Sequence, residues 1–262
     1  MRPLVTLTTD FGARDPYVAA MKGVIESRCP GLRVTDLTHE IGPQDVREGA
    51  LFLAEAAPWF PPDTIHVAVV DPGVGTERQA LALRAGDQTF IGPDNGLFDL
   101  VIEALSLQEA RAICNPDCIL EPISATFHGR DVFAPTAAWL AKGNSFGDVG
   151  PRTALAEGGI IPRPKMLEPG RWRGAVIHID RFGNAITNVS AAQLGRLESI
   201  ETRCGDYIWR GVARTYGDVA PGESAVLVGS GGMLEIAVSQ GNAAQLLSIE
   251  RDAPVEIIAA ED

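Results

Sequence analysis

The first part of the chain alternates between short apolar runs and amphipathic segments. Apolar runs bounded by turn residues predict strands, and apolar positions with a helical period predict helices. Strands are predicted at residues 4–8, 32–37 and 65–70, with a hairpin at 81–84 and 89–91. Helices are predicted from Pro16 to the stop at residues 29–31, and at 44–57, 97–105 and 132–141. A strand, helix, strand order favours a parallel, right-handed unit, so most of this sheet is predicted to be parallel.

The pattern changes after Gly143. Residues 158–169 carry three prolines, which indicates a linker. Beyond them the helical period fades, and short strands are predicted at 174–179, 185–188, 225–228, 234–238 and 254–258. The sequence therefore predicts an α/β protein with three parts: an N-terminal α/β sandwich domain with a mostly parallel sheet over 1–160, a linker over 161–172, and a smaller all-β, barrel-like C-terminal domain over 173–262.

Composition and charge narrow the range of partners. Hydrophobic residues make up 45% and charged residues 21%, so a core can form without a metal or disulfide. The formal net charge of -12 removes the general attraction to phosphate backbones and argues against nucleic acid. The four cysteines show neither a CxxC pair nor zinc-ligand spacing and are interpreted as buried or inert thiols. With no signal peptide and no bilayer-length apolar run, the expected location is the cytoplasm, away from membranes.

The chain is organised around the loop that follows the strand at 65–70. Asp71 comes directly after this apolar run, Pro72, Gly73 and Gly75 break it, and Arg78 follows one short loop later. Glycines allow backbone shapes that other residues resist and let a ligand approach the main chain closely. In an open α/β sheet, ligands bind at the carboxyl ends of the strands. Asp71 and Arg78 are therefore candidate site residues.

His128 is the third candidate catalytic residue, in the glycine-bearing segment before the helix at 132–141. Taken singly, Asp71 and Arg78 could be a surface ion pair, and His128 a core histidine. Taken together, a fixed cation, a group that titrates near neutrality and a carboxylate could hold a water as a hydroxide-like nucleophile. A metal site is the weaker interpretation, because no further histidine or paired carboxylates stand near these three.

Other candidates suit recognition of a nucleoside. Asp10 follows the first strand, where a carboxylate can bind a vicinal diol, whereas Asp15 before Pro16 is favoured as a helix cap. Phe182 could stack on a planar base and Asn184 could hydrogen-bond, although a plain hairpin turn explains both. The loop at 239–244 could present its backbone to an adenine edge or simply cap a helix. Asn95 is a candidate ligand contact whose ordinary role is within its own turn.

These segments, in this order, resemble the S-adenosyl-L-methionine hydroxide adenosyltransferases, relatives of the fluorinase and chlorinase enzymes. The motifs that carry the resemblance are Thr8-Thr9-Asp10-Phe11-Gly12, Val70-Asp71-Pro72-Gly73-Val74-Gly75, Phe127-His128-Gly129-Arg130-Asp131, Phe182-Gly183-Asn184 and Gly241-Asn242-Ala243-Ala244. The resemblance covers nearly the whole chain. It implies an α/β domain, a barrel-like domain and a homotrimer with its site between neighbouring subunits.

The resemblance also implies a reaction and its residues. Water or hydroxide would attack C5′ of S-adenosylmethionine, which is the substrate and not a cofactor, and release adenosine and L-methionine. The family's triad falls on Asp71, Arg78 and His128, and its ribose-binding carboxylate on Asp10. The remaining implied contacts are Asp180 and Asn184 on the methionine side, the loosely aligned stretch from Ser230 to Glu235, and Asn242 and Ala243 for adenine. The family's aromatic neighbour of the ribose falls at Gln44 here.

Three other functions stay open at this level. A halogenase of the same fold would use chloride as the nucleophile, but the charge of Asp71 would repel a halide, and a halide needs no base. A non-catalytic adenosine or S-adenosylmethionine sensor would use the same diol-binding and base-binding groups without turnover. A metal-dependent hydrolase would lose activity to a chelator and regain it with a divalent ion.

Overall fold

The computed structural model describes residues 3–156, 158–194 and 197–259, without the side chain of Glu198. The chain forms two compact units, Met1–Ile160 and Ile161–Asp262. The first is an α/β unit and the second an all-β unit with one short helix. The predicted fold class is confirmed. None of the helices in these ranges is long and apolar enough to span a bilayer.

The first unit is built on a six-stranded mixed sheet with the strand order β2-β1-β3-β5-β4-β6. Neighbours among β1, β2, β3 and β5 run parallel, whereas β4 is antiparallel to both β5 and β6. The strands are β1 (Val5–Thr9), β2 (Val34–Thr38), β3 (Ile65–Val69), β4 (Ala80–Ala85), β5 (Gln88–Pro93) and β6 (Leu107–Ala112). The helices are α1 (Tyr17–Arg28), α2 (Val46–Ala56), α3 (Asp99–Leu105) and α4 (Ala134–Ala141).

Alternating side chains of the central strands pack into two cores. On one face Leu7 and Val67 meet α1 and α4, and on the other Phe90 and Ala68 meet α2 and α3. Strands β1 and β3 are buried along their whole length, because helices cover both faces of the parallel part of the sheet. Their carboxyl ends are paired at Thr9 and Val69, one and two residues before Asp10 and Asp71. Both candidate carboxylates therefore leave the same edge of the sheet on adjacent strands.

Most predicted elements of this unit are confirmed, and three details are corrected. The sequence missed β6, whose polar and half-exposed side chains do not form a buried apolar run. The last helix begins at Ala134 because a turn of π-helix, Gly129–Phe133, precedes it. Asp15 does not cap α1, since the N-cap is Pro16 and no side chain bonds to the helix start.

The second unit is an eight-stranded antiparallel sheet in the order β11-β10-β14-β8-β9-β13-β12, with β7 paired to β8. Its strands are β7 (Lys165–Glu168), β8 (Arg171–Ile179), β9 (Ala185–Ser190), β10 (Ile200–Cys204), β11 (Tyr207–Arg210), β12 (Ser224–Val228), β13 (Met233–Val238) and β14 (Pro254–Ala259). Ala213, just after β11, bridges Leu227 in β12 and nearly closes the sheet into a barrel. The short helix α5 (Ala243–Leu246) follows β13.

The five strands predicted for this unit are all present. Strand β7 lies inside the stretch predicted as a linker and is exposed throughout, so it carries no apolar signal. Strands β10 and β11 were missed because charged residues alternate with their buried positions, as Glu201 and Arg203 do in β10. Their inward side chains, including Cys204 and Trp209, join one core with Val176 and Ile236.

Candidate active site

The loop after β3 folds back so that Arg78 meets Asp71. The amide of Val74 donates to the carbonyl of Asp71 at 3.1 Å, and the amide of Thr76 donates to the carbonyl of Gly73 at 3.1 Å. The Thr76 hydroxyl donates to the same Gly73 carbonyl at 2.7 Å. Two successive tight turns therefore bring the chain back toward the strand end before β4 begins.

Two glycines of this loop lie close to neighbouring groups. Gly75 has φ of +78°, and a Cβ there would overlap the carbonyl oxygen of Ala125 in the segment that leads to His128. A Cβ on Gly73 would lie 3.3 Å from Cγ of Arg78. Glycine thus lets the Asp71 loop press against the backbone before His128 on one side and against the Arg78 side chain on the other.

Arg78 joins the three candidate catalytic residues into one cluster. Its Nε donates to Oδ1 of Asp71 at 2.9 Å, and its Nη2 donates to Oδ2 of the same carboxylate. The same Nη2 lies 2.7 Å from Nδ1 of His128. The side chains of Asp71 and Arg78 are only 5% and 9% exposed, so this ion pair is largely removed from water. A planar guanidinium can make these bonds at once because its donors form a rigid fork.

The cluster fixes the protonation state of His128. Arginine has only donors, so Nδ1 of His128 accepts and the neutral ring carries its hydrogen on Nε2. Burial lowers the pKa of His128, the charge of Arg78 lowers it further, and Asp71 and Asp131 only partly offset this. His128 is therefore neutral at pH 7, with an N–H donor at Nε2.

Further side chains hold the cluster in place. The fully buried ring of Phe133 lies under Arg78, with the guanidinium carbon 5.5 Å from the ring centroid. The buried carboxylate of Asp131 accepts from the Ser124 amide at 2.9 Å and from Arg130 at 2.6 Å, which ties down the segment around His128. Neither role was predicted from the sequence. The only signal for Asp131 was an acid beside an arginine in the same motif.

Asp10 lies in a turn that contacts the same region. Its Oδ2 accepts from the Gln44 amide at 2.8 Å, which places the loop between β2 and α2 beside it. The next residue, Phe11, packs edge-on against Phe127 at 5.8 Å, and Tyr17 packs on Phe127 at 5.3 Å. These rings join the Asp10 turn to the segment that carries His128. Gln44 meets Asp10 through its backbone, with φ of +65°.

Asn95 serves the backbone at the end of β3. Its amide nitrogen donates to the carbonyl of Val70 at 2.8 Å, and its oxygen accepts from the Leu97 amide at 3.2 Å. The asparagine therefore steadies the residue before Asp71 and the start of α3. A direct contact with substrate stays a prediction.

In the second unit, the candidates at 180–184 and 242–243 lie side by side. Oδ1 of Asp180 accepts from the amides of Phe182 at 2.9 Å and Asn184 at 2.8 Å, and its Oδ2 accepts from the Asn184 side chain at 3.0 Å. Phe182 projects from this turn, and the residue is 75% exposed. Asn242 caps α5 through the Gln245 amide at 2.9 Å and packs directly on Gly183, where no Cβ would fit. Ala243, the next residue, is fully buried.

Glu235 and Ser230 belong to the hairpin of β12 and β13. Glu235 is buried, its Oε1 accepts from the Tyr216 hydroxyl at 2.5 Å, and its other oxygen lies against Gly229, next to Ser230. Burial raises the pKa of Tyr216, and the carboxylates of Glu235 and Asp180 raise it further. Asp180 and Glu235 are thus both close enough to Tyr216 for their charges to act on it. Tyr216 was not predicted from the sequence, because nothing local links it to Glu235.

The part of the chain that the structure describes contains no group of three or more histidine, cysteine, aspartate or glutamate side chains that could hold a metal ion. In the first unit, Asp71, Arg78 and His128 are in direct contact and Asp10 leaves the neighbouring strand. The cluster can hold and polarise a small oxygen nucleophile through two donors, Arg78 and Nε2 of His128.

An Asp, Arg and His cluster lies at the carboxyl end of the parallel part of a mixed sheet, and a barrel-like β unit follows. This arrangement is typical of enzymes that bind small molecules at the ends of the strands. The family comparison is specific. The N-terminal domain model of the SAM hydroxide adenosyltransferases matches residues 5–150, and the C-terminal domain model matches residues 174–256. The chain belongs to this family, as its motifs predicted.

The relatives agree with this assignment. The chain is 42% identical to a protein of Salinispora arenicola named (R)-S-adenosyl-L-methionine hydrolase, over 94% of both chains. It is 30% identical to a fluorinase of an Actinoplanes species, over 73% of both chains. A solved structure of a conserved protein from Thermotoga maritima superposes with a TM-score of 0.89 at 37% identity, covering 97% of this chain and 99% of the other.

Proposed function

We propose that this protein hydrolyses S-adenosyl-L-methionine by attack of water or hydroxide on C5′, giving adenosine and L-methionine. The observation that carries the proposal is the buried Asp71, Arg78 and His128 cluster in a member of this family. The 42% identity to a protein named (R)-S-adenosyl-L-methionine hydrolase supports it. Water supplies the nucleophile, so the reaction needs no cofactor.

The geometry supports a role for each member of the cluster. Arg78 and Nε2–H of His128 donate to the nucleophilic oxygen and hold it behind C5′. His128 is poorly placed to take the proton, since its Nδ1 already accepts from Arg78. Asp71 receives two bonds from Arg78 and keeps further lone pairs, so its carboxylate takes the proton of water. The new C5′–O bond forms as the C5′–S bond breaks, and the electron pair of that bond returns to sulfur.

Charge makes this substitution favourable in a dry pocket. The attacking oxygen becomes partly anionic, and the sulfonium of the substrate is cationic, so charge is neutralised as they approach. Excluding water from both partners lowers the barrier relative to bulk solvent. A carboxylate beside the nucleophile is useful for water, which must lose a proton, and has no use for a halide. Asp71 therefore favours hydrolysis over halide transfer.

The substrate contacts follow the chemistry of the remaining candidates. Asp10 binds the ribose diol, and Asn95 contacts the substrate from the turn before α3. Phe182, Asn242 and Ala243 contact the adenine. Asp180, Asn184, Ser230 and Glu235 bind the amino acid end, where the carboxylates of Asp180 and Glu235 suit an ammonium group.

The protein is proposed to act in the cytoplasm as a homotrimer with its site at the interface between neighbouring subunits. The free thiols of Cys29, Cys114, Cys118 and Cys204 suit a reducing compartment. The trimer is proposed from the family resemblance. Light scattering of the purified chain measures its oligomeric state. A monomer with full activity would contradict it.

The proposal is tested by chromatographic analysis of products from S-adenosylmethionine, with and without chloride. Wild type and the control Asp87→Asn, in the exposed β4–β5 turn, are expected to give adenosine and methionine in equal amounts. Asp71→Asn is expected to lose at least about a hundredfold in kcat. A main product of 5′-chloro-5′-deoxyadenosine would establish a halogenase instead. Binding without turnover, unchanged by Asp71→Asn, would establish a sensor.

A further inference from the structure

His39, in the loop between β2 and α2, has no role in the proposed reaction, yet it connects the surface to the Asp10 turn. Its Nδ1 lies 2.9 Å from the Thr9 hydroxyl, and its Nε2 lies 3.1 Å from Oδ1 of Asp36. Oδ2 of Asp36 accepts from Lys22 of α1 at 2.6 Å. The imidazole is almost enclosed, with its side chain 11% exposed.

The chain of contacts continues into the turn that carries Asp10. The Thr9 hydroxyl accepts from the Phe11 amide at 3.2 Å, so it bridges across Asp10. The carbonyl of His39 accepts from the Gly12 amide at 2.7 Å. Farther along the same loop, the Gln44 amide donates to Oδ2 of Asp10 at 2.8 Å. The Asp10 turn is thus held by Thr9 before it, by Phe11 and Gly12 after it, and by Gln44 across from it. His39 contacts Thr9 through its ring and Gly12 through its carbonyl.

The hydrogens can be assigned along this path. Thr9 Oγ1 accepts from a backbone N–H, and its own hydrogen is free to be donated to Nδ1 of His39. With Nδ1 as an acceptor, the ring carries a hydrogen on Nε2, which faces Asp36 in a close but poorly aligned electrostatic contact. Partial burial alone raises the pKa of Asp36, but Lys22 and His39 outweigh it and lower the pKa overall. A charged Asp36 therefore favours the ring orientation that bonds Thr9.

We propose that His39 is a positioning residue for ribose recognition, which acts through Thr9 to fix the carboxylate of Asp10 for the two ribose hydroxyls. This rests on the proposed function, in which Asp10 binds the diol. A carboxylate that accepts from both hydroxyls of a diol needs a set orientation. The Gln44 amide bonds the Asp10 carboxylate directly, whereas the Thr9 hydroxyl holds the backbone that carries it through the Phe11 amide. The role is distinct from catalysis, since His39 touches none of Asp71, Arg78 or His128 through the bonds described.

The proposal predicts a specific loss of discrimination between a ribose and a deoxyribose. Binding of adenosine and 2′-deoxyadenosine to the purified full chain is measured by calorimetry, and the ratio of the two Kd values is the readout. We expect wild type to prefer adenosine by roughly tenfold or more, as for a hydrogen bond to a charged group. His39→Leu is expected to bring the ratio down to within about threefold of unity.

Two further variants separate positioning from general damage. His39→Asn places an acceptor near the former Nδ1 and is expected to restore most of the ratio. Thr9→Val keeps the shape of a fully buried side chain but removes the hydroxyl, and it is expected to behave like His39→Leu. A fold defect would weaken the binding of adenosine and 2′-deoxyadenosine alike and leave the ratio of their Kd values unchanged. That result would overturn the positioning role.

Asp10→Asn separates this inference from the proposed function. If Asp10→Asn abolishes the preference while His39→Leu and Thr9→Val keep the wild-type ratio, Asp10 binds the diol and the His39 proposal is wrong. If Asp10→Asn keeps the ratio, the ribose assignment of the proposed function fails and the His39 proposal falls with it. If Asp10→Asn, His39→Leu and Thr9→Val all lose the preference for adenosine and His39→Asn restores it, the ribose assignment of Asp10 and the positioning role of His39 are both supported.

Discussion

Replacing Arg78 by lysine tests whether the guanidinium fork, and not positive charge alone, organises the catalytic cluster. Arg78 makes two bonds to the carboxylate of Asp71 and a third contact, 2.7 Å from Nδ1 of His128. A lysine ammonium keeps the charge but cannot occupy the positions of both Nε and Nη2, and it has no flat face to lie over Phe133. Arg78→Lys therefore loses at least two directed, charge-assisted bonds.

The magnitude follows from those bonds. Each charge-assisted hydrogen bond contributes about 1.5–3 kcal/mol, and removing one preorganised donor from a reacting oxygen costs about 3 kcal/mol. Retained charge offsets part of the loss, so we expect a net loss of about 3 kcal/mol in the transition state. That corresponds to roughly a hundredfold in kcat. The KM for S-adenosylmethionine is expected to change only a few-fold, because Arg78 is proposed to hold the nucleophile and not S-adenosylmethionine.

Adenosine formation is followed by liquid chromatography at saturating and subsaturating substrate, with circular dichroism to confirm folding. Arg210→Lys is the matched control, since that side chain is 81% exposed in the second unit, and it is expected to retain wild-type kinetics. An Arg78→Lys protein that is folded and keeps more than about a tenth of wild-type kcat would refute the role of the fork.

Three other predictions follow from the same structure. Gly75→Ala forces a side chain into a left-handed turn and against the carbonyl of Ala125, so chemical denaturation should show a loss of about 2 kcal/mol or more, and unchanged stability would contradict the packing. The pKa of His128 is lowered, so the acid limb of the kcat profile should have its midpoint below 6.5 with a plateau above it, and a midpoint above 7 would contradict a neutral His128. Burial lowers the pKa of His66 to about 4, although the nearby Gln88 side chain partly offsets it, so the unfolded chain binds the proton first as the pH falls. Stability is then intact above pH 6.5 and should fall by about 3 kcal/mol toward pH 4, and this fall should be absent in His66→Leu.

The sequence predicted best what depends on local pattern. Buried strands such as β3 are continuous apolar runs, and the turn residues of the Asp71 loop stand out against them. The same local logic missed β6 and β10, because half of their side chains face solvent and are charged or polar. Their pairing is decided by neighbouring strands that lie elsewhere in the chain.

In the candidate site, too, contacts within one loop could be predicted from the sequence, whereas contacts between distant segments could not. Asp71 and Arg78 are seven residues apart, so their meeting was visible from the loop, but His128 joins them across fifty residues. Asp15 was expected to cap α1, yet no side chain bonds to the start of that helix. The supports of the site are still less visible: the contact of His39 with Thr9 and that of Tyr216 with Glu235 depend on distant segments that meet only after folding.

The central claim is that water attacks C5′ of S-adenosylmethionine, and isotope labelling tests it directly. The purified protein is incubated with the substrate in oxygen-18 water, without added halide or metal, and the products are examined by mass spectrometry. We expect adenosine that carries one oxygen-18 at its 5′ position, together with an equal amount of unlabelled methionine. Adenosine without the label, or no adenosine from a folded protein that binds the substrate, would contradict it.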